Sequence, residues 1–283
     1  MGTEQDQPGE GVAVITGASS GIGAVFARRL AERGYGLVLV ARREQRLEEL
    51  ARQLRPAPAP VETIVADLAD GADRARVVER VQQQDVTVLV NNAGINGYGP
   101  FDQVDPALLG KVIDINVTTP TMLARAALPG MLEQQRGAII NVASLLAFAG
   151  ALPPDPLPHR STYAGTKSHM VTFSRTLAAE LADTPVRVQA LCPGLTATEF
   201  HLSRGAEPVA GEQERTHAEG GMNAEDVVTA SLTALDSGEV LCAPGLEDAQ
   251  AVERLAAAEA ELRHGSVPDL AARYRKQHQG PFG

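Results

Sequence analysis

Apolar residues along this chain fall into two alternating rhythms. Short β-branched runs at Val12–Ile15, Leu37–Val40, Val61–Ala66, Val86–Val90, Ala138–Ala143 and Val240–Ala243 have the pattern of strands buried on both faces. Between them apolar residues recur at helical spacing. Ile22, Val25, Phe26 and Leu30 do so after Gly21, with Gly34 placed to end that helix, and similar stretches cover about 44–54, 72–84, 106–135 and 163–182. Asn223 is placed to cap a further helix, with acids in its first turn. Strands and helices in this alternation predict an α/β fold, a doubly wound, mostly parallel sheet with right-handed crossovers and helices on both faces. Ligands of such sheets sit at the carboxyl ends of the strands. Gly17, Asp67, Asn91, Ser144 and the residues around Cys192 should therefore converge on one cleft.

Composition then narrows the setting. At 283 residues, 44% of them hydrophobic, the chain can build one large α/β domain or two smaller ones. A net charge of −10 argues against nucleic acid or an anionic membrane surface as partner. Cys192 and Cys242 lack metal spacing and read as reduced, buried thiols of a cytoplasmic protein. Residues 1–10 are expected to form a disordered polar tail rather than a signal peptide, and no apolar run approaches a membrane span. The six histidines (159, 169, 201, 217, 264 and 278) show no metal-ligand spacing, so no metal is expected.

The turn after the first strand, Thr16-Gly-Ala-Ser-Ser-Gly-Ile-Gly23, carries the first chemistry. A strand turning tightly into a helix aims free backbone N–H groups and the positive helix end at one point, which suits a pyrophosphate. Gly17, Gly21 and Gly23 let the backbone approach the ligand. Their spacing is Gly-x-x-x-Gly-x-Gly rather than Gly-x-Gly-x-x-Gly, and a ligand-free turn is the alternative. At the end of the second strand, about 20 residues on, an NAD site places a carboxylate for the ribose hydroxyl. Here Ala41-Arg42-Arg43 stands instead. A guanidinium suits a 2′-phosphate, so NADP(H) is expected, with Arg42 as the principal contact and Arg43 secondary.

Tyr163 and Lys167, four residues apart, share one helix face. An ammonium about 4 Å from a phenol favours the phenolate, and such a tyrosine can exchange a proton with an alcohol or carbonyl. Ser144 adds a hydroxyl that could hold the same oxygen. Pro120 has no N–H for the carbonyl of Asn116, so the long helix either ends or kinks there; resumed periodicity at Met122, Leu123, Ala126 and Ala127 favours the kink. The segment from Leu152 to Arg160 contains four prolines and makes a stiff loop, expected to pack beside the substrate cleft. It leaves Ser161 as an alternative to Ser144, although Ser161 fits a helix cap better.

Taken in order, Thr16–Gly23, Asp67, Asn91-Asn-Ala-Gly94, Asn116, Ser144, Tyr163-x-x-x-Lys167 and Pro193-Gly194 resemble the short-chain dehydrogenase/reductase family, over about residues 11–245. The resemblance implies a seven-stranded Rossmann sheet and hydride transfer between NADP(H) and a small-molecule carbonyl or secondary alcohol. It implies that Tyr163 is the acid/base, that Lys167 lowers its pKa and binds the nicotinamide ribose, that Ser144 orients the substrate oxygen, and that Asn116 holds a water. Cofactor contacts are implied at Gly17, Ser19, Ser20, Gly21, Ile22, Gly23, Leu68, Ala93, Gly94, Pro193 and Gly194. Asp67 would meet the adenine, Asn91 the adenosine side, and Thr196 and Thr198 the nicotinamide carboxamide region. The serine-to-tyrosine spacing is longer than in most members because of the Pro-rich segment. A substrate lid is expected at about 196–222, a helical C-terminal extension of the same domain at 246–283, and a homodimer or homotetramer as the assembly. Two other readings stay open: an epimerase or dehydratase on the same scaffold, and a non-catalytic dinucleotide-sensing regulator. The complete set of Asn116, Ser144, Tyr163 and Lys167 speaks for redox chemistry.

Overall fold

The computed structural model describes residues 10–55, 59–155, 157–198, 200 and 221–275. Residues 1–9 of the tail expected at 1–10, part of the Pro-rich link after α2, Pro156 and most of the 196–222 lid lie outside the described residues. The chain divides into two compact units, Met1–Gly245 and Leu246–Gly283. The first runs β1 (Val12–Thr16), α1 (Gly21–Glu32), β2 (Gly36–Ala41), α2 (Glu44–Leu54), β3 (Val61–Val65), α3 (Gly71–Val81), β4 (Val86–Asn91) and α4 (Pro106–Ile113). It continues through α5 (Thr119–Glu133), β5 (Gly137–Val142), α6 (Ser161–Glu180), β6 (Val186–Leu191), α7 (Ala224–Asp236) and β7 (Leu241–Cys242). The second unit contains α8 (Gln250–His264) and a short 3-10 turn at Ala272–Tyr274.

The seven strands form one sheet in the order β3-β2-β1-β4-β5-β6-β7. Every pairing is parallel, so the expected mostly parallel sheet is wholly parallel. β1, β2 and β4 are buried along their whole length, as their unbroken apolar runs require. On one face Phe26, Leu30, Leu47, Leu50, Val227 and Leu232 pack against Ile15, Leu39 and Val90. On the other, Val77, Val81, Leu123 and Met131 pack against Val14, Val40, Leu89 and Ile139. Strand order reverses between β1 and β4, and a crevice opens outside the carboxyl ends of that pair.

Local chemistry explains where the helices begin and end. Gly34 adopts φ +88° and donates to the Ala31 carbonyl, closing α1. Asp70 caps α3 by accepting from the amides of Ala72 and Asp73. Asn223 caps α7 through the Glu225 amide at 3.0 Å, with Glu225 and Asp226 in the first turn. The long helical stretch does not end at Pro120. Between α4 and α5 lies a π-helical segment, Asp114–Thr118, and the Thr119 amide reaches back five residues to the Asp114 carbonyl. A proline that withholds one N–H is accommodated by one wider turn, the form the kink takes here.

A buried polar relay runs beneath the crevice. Asn91 Nδ2 donates to Asn141 Oδ1 at 2.8 Å, Asn141 Nδ2 donates to Ser174 Oγ at 2.9 Å, and Ser174 Oγ donates to the Met170 carbonyl at 2.7 Å. Asn141 and Ser174 are completely buried, where an unpaired polar group costs roughly 1–3 kcal/mol. Asn141→Ala deprives both neighbours of a partner. The variant is expected to lose roughly 2–4 kcal/mol by this accounting, read as a lower urea midpoint at unchanged slope. A wild-type midpoint would show that the relay contributes nothing to stability.

Candidate active site

The glycine turn is built by close packing against the loop after β4. A Cβ at Gly17, where φ is +66°, would stand 2.7 Å from Asn92 Nδ2 and 3.0 Å from Ala93 Cα. One at Gly23 would collide with the Gly17 carbonyl and with Asn92 Nδ2. Gly21 has φ +54°, and its missing Cβ leaves room for the Thr198 methyl. Ser20 takes the N-cap position of α1 in an extended conformation, yet its side chain makes no cap hydrogen bond. The positive end of α1 is therefore left for an anion from outside, as a pyrophosphate site requires.

Of the two arginines expected at the cofactor, Arg43 lies at the glycine turn. Its Nη2 donates to Ser20 Oγ at 2.6 Å and to Ser19 Oγ at 3.1 Å, placing the guanidinium over the glycine turn. Arg42, expected as the principal contact, is exposed. The cause is local backbone geometry: Arg43 is the N-cap of α2, with φ −82° and ψ 89°, and the chain turns there.

Asn91 is held from within. Its carboxamide is turned into the protein, onto Asn141 and the Pro120 carbonyl, so only its backbone remains for an adenosine. The asparagine that shapes the crevice is Asn92, whose Nδ2 donates to the carbonyls of Thr16 at 2.9 Å and Gly17 at 3.2 Å. Thr16 Oγ1 in turn accepts from the amides of Asn92 and Ala93, both at 3.0 Å. Sequence reasoning assigned neither Thr16 nor Asn92 a role of its own; a threonine closing a strand beside a glycine turn was the available signal. Asp67 binds its own loop, accepting from the Ala69 amide, and Leu68 is buried with its carbonyl accepting from Thr119 Oγ1.

Ser144, Tyr163, Lys167 and Asn116 come together beside this crevice. Ser144 follows β5 and starts a short 3-10 turn, Leu145–Phe148. Its hydroxyl is hydrogen-bonded to the Tyr163 phenol. Ser161 is exposed at the first residue of α6 and caps nothing, since the N-cap is Arg160; the serine at the tyrosine is Ser144. Lys167 Nζ lies 5.7 Å from the Tyr163 ring centroid and donates to the Val142 carbonyl at 2.7 Å. Asn116 holds the β4 loop: its Oδ1 accepts from the Ile95 amide, and its Nδ2 donates to the Ile95 carbonyl and to Thr166 Oγ1. A Cβ on Gly94 would sit 3.3 Å from Asn116 Oδ1 and 3.6 Å from Lys167 Nζ, so the four groups share one small space. In the loop after β6, Thr196 is tied to Gly194 by its hydroxyl, and Thr198 lies against Gly21 of the glycine turn.

Burial, not the lysine, dominates the electrostatics. Tyr163 is 4% exposed, covered by the rings of Tyr98 at 5.3 Å and Phe200 at 5.6 Å. Loss of water pushes its phenol well above the usual tyrosine range, Tyr98 adds to that, and the Ser144 hydrogen bond opposes it. Burial outweighs every charged neighbour in that shift. Burial lowers Lys167 itself to about 8, and Cys192 acts the other way. At neutral pH the site holds a protonated phenol. Among the described residues no group of His, Cys, Asp and Glu is placed to hold a metal ion, and no helix is long and apolar enough to cross a membrane.

Comparison with known proteins agrees with this fold. Residues 11–208 match the family model described as short chain dehydrogenase. The chain is 35% identical over 193 residues to hydroxysteroid dehydrogenase-like protein 1 of Gallus gallus, a match covering 66% of this chain and 56% of that one. It thus spans little more than half the length of that relative. A short-chain dehydrogenase from Sphingobium yanoikuyae in complex with NADPH has a TM-score of 0.84 and 34% identity, covering 93% of this chain and 100% of that chain. The bulky-bulky ketone specific alcohol dehydrogenase from Comamonas testosteroni has a TM-score of 0.81 and 32% identity, covering 94% and 98%.

The lowered lysine has a consequence for stability. Its folded pKa of about 8 lies below the ordinary 10.5, so between those values the unfolded chain binds more protons than the folded one. Stability owed to this group rises with pH across that window, and the penalty of burying the ammonium is complete below it. Lys167→Met removes the penalty. Its unfolding free energy relative to wild type should be most favourable at pH 7 and decline steadily as pH rises from about 8 to 10.5. A difference that stays constant with pH would show that Lys167 titrates normally.

Proposed function

The chain belongs to the short-chain dehydrogenase/reductase family of nicotinamide-dependent oxidoreductases, and on that premise we propose that it is an NADP(H)-dependent enzyme interconverting bulky, apolar ketones and their secondary alcohols. The observation that supports this best is the Tyr163 phenol, buried, protonated and hydrogen-bonded to Ser144, with Lys167 behind it. In a site of this kind the nicotinamide supplies or accepts the hydride. Ser144 is placed to hold the substrate oxygen with Tyr163. As negative charge grows on that oxygen, Tyr163 gives it the phenolic proton; in the oxidative direction the phenolate takes the proton back. Lys167 faces the charge left on the tyrosine, where a dry site makes a nearby ammonium most effective. Asn116 keeps the β4 loop and α6 in register through Ile95 and Thr166, and its backbone carbonyl, without a proline N–H to meet, is suited to a relay water.

Two groups of residues support the substrate class and the cofactor. Leu145, Phe148, Leu152 and Leu195 are exposed large apolar residues on the segments that follow β5 and β6, with Phe101 on the loop after β4. Exposed apolar side chains on these segments support bulky uncharged carbonyl compounds as substrates, in keeping with the ketone-specific Comamonas neighbour. Arg43 beside Ser19 and Ser20, without an acid at Ala41, supports NADP(H), in keeping with the NADPH-bound Sphingobium neighbour. A dimer or tetramer is part of the proposal.

Tyr163→Phe removes only the hydroxyl. Turnover of a ketone should fall by about 10²–10⁴-fold with NADPH affinity nearly unchanged, and near wild-type kcat would remove Tyr163 from the chemistry. For the cofactor, Arg43→Ala should lower the NADPH-over-NADH ratio of kcat/KM by about 10- to 150-fold, the worth of one charge-assisted hydrogen bond. Arg42→Ala should lower it less. Equal use of both cofactors by the wild-type enzyme would overturn the assignment.

A further inference from the structure

The loop after β4 and the Pro-rich insertion meet at one buried arginine. Arg160 is 7% exposed, unusual for a side chain that stays charged at every working pH. Its Nη1 donates to the Pro158 carbonyl at 3.0 Å, and its Nη2 donates to the carbonyls of Ala149 at 2.6 Å and Leu152 at 2.9 Å. One guanidinium thus gathers the end of the 3-10 turn and both ends of the insertion. Its Nε has no partner, and among the described residues no carboxylate pairs with it. A buried charge held only by carbonyls is an expensive way to fasten a surface loop. The next link shows what else it fastens. The carbonyl of His159 accepts from the Gly99 amide at 3.0 Å, which ties the insertion to the residue after Tyr98. The Tyr98 ring stands edge-on to Tyr163, 77° between planes, and Arg160 is close enough to act on the Tyr98 phenol electrostatically.

We propose that Tyr98 is a specificity-determining wall of the ketone site and that Arg160 is its positioning residue, acting through the clasped insertion. The proposal rests on the ketone-reductase reading, yet it makes a claim about residue 98 that needs no turnover to test.

The chain has no tryptophan, so Tyr98→Trp in the full-length protein installs a single indole reporter in the wall. Benzophenone should quench its emission saturably, and acetone should not. Absence of saturable quenching overturns the wall. Adding Arg160→Met to Tyr98→Trp should red-shift the emission as the indole loses its fixed apolar seat, and Arg160→Lys in its place should restore part of the shift. If Arg160→Met does not fold, the Arg160→Lys comparison alone decides. An emission maximum indifferent to either change overturns the positioning role.

Kinetics supply the second arm. Tyr98→Ala should change the benzophenone-to-acetone ratio of kcat/KM by about 10-fold or more, mainly through KM, with NADPH affinity unchanged. Arg160→Met should move the ratio the same way, and the double variant should add little to Tyr98→Ala. A merely structural arginine would depress both ketones equally, which overturns the proposal. Wild-type inactivity toward every ketone would sink the reductase reading instead, while the emission experiments still decide the wall and its positioning.

Discussion

One carboxamide fixes the distance between the two loops on which this site is built. Asn92 bridges from the end of β4 to the carbonyls of Thr16 and Gly17, and Thr16 answers by accepting two amides from the β4 side. β1 and β4 are neighbours in the sheet whose chains leave in opposite directions, so no covalent connection sets the width of the crevice between them. The clasp does. It explains why Gly17 and Gly23 have no room for a Cβ, and it sets where Ala93 and Gly94 lie. Gly94 in turn lies against Asn116, Lys167 and Phe200. A different spacing at the clasp would move every functional side chain on the β4 side relative to those on the β1 side.

Much of this was legible in the order of residues. Strands buried on both faces leave an unmistakable run of apolar residues, and the bounds of α2 follow directly from its charged, periodic stretch. The Asn223 cap and the disturbance before Pro120 are equally local, since each depends on a residue's own hydrogen-bonding groups. The conjunction of Ser144, Tyr163 and Lys167 was legible because helix periodicity and strand ends fix their positions. What escaped depends on direction or on distant neighbours. Asn91 and Asn92 point opposite ways because side chains alternate along extended backbone, and which of two adjacent asparagines faces the crevice hangs on one residue of phase. Arg42 and Arg43 differ for the same reason at a helix start. The protonated state of Tyr163 was illegible because its cover comes from Tyr98 and Phe200, far from it in sequence and brought together only by the fold.

The same dry space acts on both titrating partners. Tyr163 is driven toward its neutral form, and Lys167 is brought down to about 8. Isolated charge is costly there, so burial alone pushes both groups toward neutrality. The pair therefore favours a proton arrangement with little net charge at rest and responds strongly when charge develops between them. Such responsiveness is what a proton-transferring site needs, and it would be lost in water, where an ammonium 5.7 Å from a ring has little influence. The covering rings keep water from the hydroxyl.

The clasp made by Arg160 changes what kind of loop the Pro-rich segment is. Exposed connections usually open on their own, with free energies far below that of global unfolding, and are cut or exchanged accordingly. This one cannot peel away without releasing three carbonyls and stranding a guanidinium that is already buried. Its opening is therefore coupled to the start of α6 and the end of β5, and so to the tyrosine and serine those elements carry. Backbone amides tied into the clasp, Gly99 and those under the 3-10 turn, should exchange with solvent water on the timescale of the sheet.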